Sequence, residues 1–167
     1  EHDFRDETLV RIPITNDDGI AAPGIEALWR AVRDLGEVTV VAPDSERSAV
    51  GPAITLAEPL RVADYAGPGG LAGHAVSGTP ADCVNLAVLK LLPRRPDVIV
   101  SGINRGANLG DDIHYSGTVG GAREGCFFGI PSLAFSLASR AEADFGAAAA
   151  FAARLVPLVL ERGLPPR

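Results

Sequence analysis

The chain has 167 residues, 47% of them hydrophobic, and carries a formal net charge of −6. This size and composition fit one globular domain that is long enough to bury a core. The 15 basic residues are scattered, so no basic surface for a nucleic-acid polymer is predicted. No apolar run reaches the roughly 18 residues that a membrane span requires, and we expect a cytoplasmic protein with no membrane partner.

The N-terminal part of the chain predicts a leader, a strand, a helix and a second strand. Residues 1–10 are charged and aperiodic, so we expect a loose leader ahead of a single domain over residues 11–167. Residues 11–15 predict the first strand, in which Pro13 is awkward because proline cannot donate to a ladder. Apolar residues at helical spacing between Pro23 and Gly36 predict an amphipathic helix that buries Trp29. Residues 38–42 are a β-branched run that is typical of a buried parallel strand.

The middle of the chain is less regular. Residues 53–60 and 74–77 suggest short strands, and the glycine-rich stretch between them, residues 66–73, is predicted to be an exposed loop. Thr79 followed by Pro80 has the pattern of a helix N-cap and first turn. Cys83 and Cys126 fall in apolar helical segments without paired spacing, which indicates free thiols.

The last third of the chain continues the alternation of strand and helix. A polar, glycine-punctuated loop is predicted over residues 102–112, and the final helix is expected to kink or break near Pro157. In this part, strands are predicted over residues 97–101 and 132–136, and helices over residues 116–128 and 145–162. The alternation throughout indicates an α/β fold with a mostly parallel sheet and helices on both faces.

Two adjacent carboxylates, Asp17 and Asp18, directly follow the first predicted strand. Open α/β sheets place their ligand crevices at the carboxyl ends of strands. Two like charges side by side repel each other, and a divalent cation held by their oxygens is a simple compensation. The alternative is a solvated turn, since asparagine, aspartate and glycine are common turn residues.

Polar clusters follow three of the predicted strands, at Asn16 to Asp18, at residues 45–48 and at residues 104–108. In a doubly wound sheet these ends gather at one edge. Two aspartates, a serine hydroxyl and an asparagine carbonyl suit Mg²⁺, Mn²⁺ or Ca²⁺ better than zinc, which prefers histidine or cysteine. His114 lies near the third cluster, where it either assists a site or is an ordinary surface histidine.

The segment Ser116, Gly117 and Thr118 opens a predicted helix with hydroxyls and unpaired backbone N–H groups. Such a helix start can hold a phosphate, or Ser116 can simply cap the helix without any ligand. No G-x-G-x-x-G fingerprint or P-loop is present, which disfavours a dinucleotide or ATP cradle.

Several motifs together resemble the SurE family of survival proteins, over about residues 11–136. They are Thr15-Asn16-Asp17-Asp18-Gly19-Ile20, Val41-Ala42-Pro43-Asp44 with Glu46-Arg47-Ser48, Ser77-Gly78-Thr79-Pro80-Ala81-Asp82, Ser101-Gly102-Ile103-Asn104-Arg105-Gly106 and Tyr115-Ser116-Gly117-Thr118-Val119-Gly120. The resemblance implies a Rossmann-like sheet, a divalent metal, and hydrolysis of nucleoside 5′-monophosphates by a 5′-nucleotidase or acid phosphatase.

The resemblance also implies roles for individual residues. The family's metal ligands fall on Asp17, Asp18, Ser48 and Asn104. The segment that lines the phosphate pocket matches Asn108, Ser116, Gly117 and Thr118. Asp17 and Asp18 are the candidate catalytic residues, with one of them orienting a water or, as an alternative, attacking phosphorus directly.

The chain departs from the family pattern at Pro13 and at its C-terminal end. Family members continue into an extended arm that helps dimers or tetramers form, and we expect that arm to be absent here. Two other functions remain open at this point. An aspartyl-phosphate-type phosphatase would normally show D-x-D spacing instead of adjacent aspartates. A non-catalytic nucleotide-binding module is the other, if the C-terminal part is required for activity.

Overall fold

The computed structural model describes residues 9–47, 51, 53–139 and 144–165, and these form a layered α/β domain around one sheet. The strands are β1 Arg11–Thr15, β2 Glu37–Pro43, β3 Val62–Ala66, β4 Ala72–Val76, β5 Ile99–Arg105 and β6 Ser132–Leu137. The α-helices are α1 Pro23–Val32, α2 Pro80–Leu86, α3 Gly117–Phe127 and α4 Gly146–Arg162. Short 3-10 turns cover Arg33–Leu35, Pro68–Gly70 and Gly110–His114, and a π turn covers Ala87–Leu91.

Strand β1 lies in the interior of the sheet, whose order is β3-β4-β2-β1-β5-β6. It pairs in parallel with β2 on one side and with β5 on the other. The chain runs outward from β1 to β2 and later returns to β5, so the strand order reverses at β1. A crevice at the carboxyl end of this strand is therefore the expected ligand site of the fold.

Helices cover both faces of the sheet, as the sequence predicted. On one face, α1 and α4 pack together over a core that includes Ile14, Leu28 and Val156, all fully or almost fully buried. On the other face α2 packs against α3. Trp29 is 7% exposed and belongs to the first of these cores, which confirms its predicted role in packing.

Most of the predicted elements are present, with shifts at their ends. Pro13 is accommodated because the ladder to β5 begins only at Ile14, one residue later. Strand β5 extends to Arg105, so the first part of the predicted polar loop is strand. Helix α4 continues through Pro157, and the predicted break there is wrong. Both cysteines are free thiols, as expected.

The prediction of a strand over residues 53–60 is wrong. The strand lies further along, at β3, which pairs antiparallel with β4 to form a hairpin at the edge of the sheet. Thr55 instead bonds to the buried Asp82 carboxylate, through its backbone N–H at 2.9 Å and its hydroxyl at 2.6 Å. The same carboxylate closes the capping box of α2 with Thr79. The Asp82 side chain thus accepts the hydrogen bond from the Thr55 N–H that a neighbouring strand would otherwise accept.

Three glycines at four-residue spacing let α3 lie unusually close to the sheet. A Cβ at Gly117 would approach Asp17 Cβ at 2.8 Å, and one at Gly121 would approach the Thr15 methyl at 2.9 Å. A Cβ at Gly125 would meet Ser132 Oγ at 2.2 Å. Because residues four apart share one helix face, these glycines form a flat side against the strand ends. The close approach places the N-terminus of α3 beside Asp17.

Substituting Gly121 with valine should destabilise the fold, because Thr15 and Ser101 leave no room for the branched side chain. We expect overpacking in Gly121→Val to lower the free energy of unfolding by about 1–3 kcal/mol. Urea denaturation measures this loss. Arg123→Val, at an exposed position of the same helix, controls for the helix propensity of valine and should stay within about 0.5 kcal/mol of the parent. Equal stability of the two variants would show that α3 can move away from the sheet.

Candidate active site

Polar side chains from the ends of three adjacent strands meet in one cavity of about 570 Å³. Asp17 and Asp18 follow β1, Glu46 follows β2, and Asn104 lies near the end of β5. The wall opposite them comes from the segment that leads into α3. The lining residues are Asp17, Asp18, Glu46, Asn104, Arg105, Ala107, Asn108, Asp112, Tyr115 and Ser116. The predicted convergence of the strand ends is confirmed.

The turn after β1 is fixed by its own hydrogen bonds. Asn16 is fully buried, and its Nδ2 donates to the carbonyl of Gly19 at 2.9 Å. Ile20 N donates to the carbonyl of Pro43, and Arg47 N donates to the carbonyl of Asp17. The two explanations offered for this stretch are therefore compatible, because an ordinary turn holds both carboxylates at the cavity.

Asp17 is held by α3. The residue is 5% exposed, and its Oδ1 accepts a hydrogen bond from the hydroxyl of Thr118, which is fully buried. Gly117 makes this contact possible, since a side chain there would collide with Asp17. The remaining oxygen of Asp17, Oδ2, accepts no hydrogen bond from the residues that the structure describes.

Asp18 is half-buried and is held from the other side, by β5. Its Oδ2 accepts a hydrogen bond from the backbone N–H of Arg105 at 3.1 Å. Burial raises the pKa of Asp18; the Arg105 N–H offsets part of this, and the Asp17 charge raises the pKa further. A raised pKa means that the ionised carboxylate is disfavoured in the protein without a compensating cation.

Asn104 completes a set of oxygen donors on this cavity. Its Nδ2 donates to the carbonyl of Gly106 at 2.8 Å, and its amide oxygen accepts no hydrogen bond within the described part of the chain. Like Asp17 Oδ2 and Asn104 Oδ1, Asp18 Oδ1 accepts no hydrogen bond from the described residues. The cavity therefore offers three such oxygens, of the type that a hard divalent cation prefers.

The balance of charge in the cavity also points to a cation. Among the described residues that line it are four carboxylates and one guanidinium, that of Arg105; the carboxylates belong to Asp17, Asp18, Glu46 and Asp112. An anionic ligand would be repelled from such a site unless a cation were bound there. Nowhere in the described residues do three His, Cys, Asp or Glu side chains converge on one point. Amide or hydroxyl oxygens would accordingly have to complete the coordination, and a divalent cation fits this mixed set.

The N-terminus of α3 faces the same cavity. Ser116 caps the helix, because its Oγ accepts a hydrogen bond from the N–H of Val119 at 3.1 Å, so the capping role is confirmed. Ser116 nevertheless lines the cavity as well. Asn108 also lines it, with its Nδ2 donating to the hydroxyl of Ser136 at 2.7 Å. Gly117 and Thr118 lie behind this wall, packed against Asp17.

Ser48 lies outside the described residues, so its assignment as a ligand stays a prediction. The backbone N–H of Arg47, the residue before it, is fixed at 2.7 Å from the Asp17 carbonyl. His114 is exposed and does not line the cavity. Sequence reasoning gave no role to Glu46, Arg105, Asp112 or Tyr115, although three of them stand within or beside the motifs quoted above. Glu46, Arg105 and Tyr115 lie in those motifs within two positions of an assigned residue, which was the available signal, whereas Asp112 lies outside them.

The chain is similar to known proteins over most of its length. The family model for "Survival protein SurE" matches residues 12–167. The "5'-nucleotidase SurE" of Geobacter metallireducens is 56% identical over 158 residues, which cover 94% of this chain and 61% of that protein. The protein of the same name from Geobacter sulfurreducens is 58% identical, over 93% of this chain and 58% of its own length.

A solved structure agrees with the fold. The crystal structure of the Sure protein from Aquifex aeolicus superposes with a TM-score of 0.84 at 45% identity, covering 93% of this chain and 62% of that one. The chain thus spans about three fifths of the length of the curated relatives it matches. In the part of the chain that the structure describes, no helix is long and apolar enough to cross a membrane. On the family model and these relatives, the chain belongs to the SurE family.

Proposed function

We propose that this chain is a metal-dependent phosphomonoesterase that hydrolyses nucleoside 5′-monophosphates to nucleoside and phosphate. The observation that carries the proposal is that one cavity holds both the N-terminus of α3 and three oxygens that accept no hydrogen bond from the described residues. The oxygens suit a divalent cation, and the helix terminus suits a phosphate. The names of the similar proteins from Geobacter, 5'-nucleotidase, agree with this chemistry.

In this proposal Asp17, Asp18, Asn104 and Ser48 hold a divalent cation of the class of Mg²⁺, Mn²⁺ and Ca²⁺. When bound, the cation supplies neutralisation of phosphoryl charge and Lewis acidity. Asn108 and Ser116 line the same cavity, and in this proposal they contact phosphate oxygens together with the N–H groups at the start of α3. The proposed homo-oligomer, dimer or tetramer, and the cytoplasmic location stay predictions.

The reaction itself is a transfer of the phosphoryl group to water. A water oxygen forms a new bond to phosphorus, the bond from phosphorus to the nucleoside 5′-oxygen breaks, and that oxygen takes up a proton. Asp18 is the better placed carboxylate to orient the water, since it is more open to the cavity than Asp17. Thr118 engages one oxygen of Asp17 and the Arg105 N–H engages one oxygen of Asp18, so each carboxylate offers the cation one further oxygen.

The proposal is tested by phosphate release from a panel of nucleoside 5′-monophosphates and an aryl phosphate, with and without Mg²⁺ or Mn²⁺. We expect turnover that is lost on chelation and recovered when the cation is restored, because the substrate would otherwise meet an excess of carboxylates. Full activity after chelation, with metal content measured near zero, would contradict the metal requirement.

A second prediction concerns the electrostatic cost of Asp18. Asp18→Asn should raise the melting temperature of the metal-free protein, since it removes a charge that burial and Asp17 both disfavour. The same variant should lose most of the rise in melting temperature that Mn²⁺ gives the parent. Thermal unfolding with and without Mn²⁺ measures both effects. Asp34→Asn, at an exposed aspartate, is the control and should change neither quantity. An unchanged response to Mn²⁺ in Asp18→Asn would remove Asp18 from the ligand set.

A third prediction concerns Thr118, whose hydroxyl is already engaged by Asp17. We infer that Thr118 acts on this carboxylate and not directly on phosphate. Thr118→Val should weaken Mn²⁺ binding about 10- to 100-fold, the usual cost of losing a partner that orients a ligand. Thr118→Ser keeps the hydroxyl and should restore the affinity. Calorimetric titration of Mn²⁺ measures it; intact metal affinity with weakened phosphate inhibition in Thr118→Val would favour the direct phosphate contact that the family resemblance implies.

A further inference from the structure

The cavity is larger than a phosphate group and a cation require. Its volume of about 570 Å³ lies within the range of roughly 300–1,000 Å³ that is typical of pockets for whole small molecules. The proposed cation lies against Asp17, Asp18 and Asn104, and the proposed phosphate lies against Ser116 at the start of α3. Space therefore remains for the organic part of an ester. The other residues that line the cavity indicate the chemical class of that part.

Among the described residues that line the cavity, Tyr115 is the one aromatic residue and Ala107 is the one other apolar residue. Tyr115 is 68% exposed, and its hydroxyl forms no hydrogen bond with any residue that the structure describes. The backbone, in contrast, is fixed. Tyr115 N donates to the carbonyl of Asp112 at 3.1 Å, and the next residue, Ser116, is the buried N-cap of α3. An open ring is thus presented from a fixed point beside the phosphate end.

A second cavity, of about 450 Å³, lies beyond the ridge formed by Asp18, Glu46 and Arg105. Of the described residues that line it, the one aromatic residue is Phe145, which is only 5% exposed and belongs to the core shared by α1 and α4. Phe145 therefore has no open face for a ligand. Of the two cavities, the one with Tyr115 is the one that offers a free aromatic surface.

We propose that Tyr115 is the platform on which the nucleobase of the substrate stacks, an inference that rests on the proposed nucleotidase function. A ring stacked on a base recognises the flat π-face that all nucleobases share. Tyr115 would accordingly favour nucleotides over phosphate esters without a ring and would discriminate little between purines and pyrimidines. The hydroxyl is not needed for stacking, so phenylalanine should serve equally well.

The test compares the parent with Tyr115→Ala and Tyr115→Phe on adenosine and uridine 5′-monophosphates and on glycerol 3-phosphate. For Tyr115→Ala, the rise in KM for both nucleotides should exceed the rise for glycerol phosphate by at least about 10-fold, the order of one lost base stack. Tyr115→Phe should keep the parent's preference. Leu109→Ala, which is 70% exposed on the same segment and does not line the cavity, should change none of the values.

Equilibrium dialysis of non-hydrolysable phosphonate analogues of the same nucleotides, in the presence of Mn²⁺, separates failure of this inference from failure of the proposed function. A parent that hydrolyses none of the esters defeats the proposed function, while a loss of nucleotide binding in Tyr115→Ala would still support the stacking role. An equal effect of Tyr115→Ala on nucleotides and glycerol phosphate overturns the inference. An unchanged nucleotide affinity in Tyr115→Ala also overturns it. In that case, a loss of nucleotide affinity in Ala21→Trp, which narrows the second cavity, would place the base in that cavity.

Discussion

The repulsion between two adjacent carboxylates at the end of β1 is the constraint on which the rest of the site depends. The protein keeps Asp17 and Asp18 in place by engaging one oxygen of each, from opposite sides. Thr118 of α3 holds Asp17, and the backbone of Arg105 in β5 holds Asp18. Each carboxylate is left with one oxygen for another partner. In the proposed function this arrangement is the geometry of a cation site, and a bound cation would supply the missing compensation of charge.

The glycine-rich face of α3 helps to hold Asp17 in place. A helix that packed at ordinary distance would not bring Thr118 to Asp17, and a side chain at position 117 would collide with that carboxylate. The helix N-terminus, whose partial positive charge favours anions, is thereby placed next to the carboxylates. One close contact between α3 and β1 thus serves both ends of the proposed site, the cation and the phosphate.

Local signals predicted much of this structure. The run at β1, the helical spacing of α1 and the cap at Ser116 each depend on a few neighbouring residues, and all three were predicted correctly. Residues 53–60 were misread because Asp82, distant in sequence, binds Thr55. The partner of Thr118 was hidden for the same reason, since Asp17 lies 101 residues away. The pattern of apolar residues predicted the layers of the fold. It could not predict contacts between side chains of separate elements, which only the structure shows.

The most direct test of this account is the number of Mn²⁺ ions that the metal-free protein binds, measured by calorimetric titration. We expect one ion per chain for the parent and none, at the same concentrations, for the double variant Asp17→Asn, Asp18→Asn. Circular dichroism of that variant should stay native-like, because the two side chains lie at a strand end and not in the apolar core. A folded double variant that binds Mn²⁺ as tightly as the parent would contradict the account.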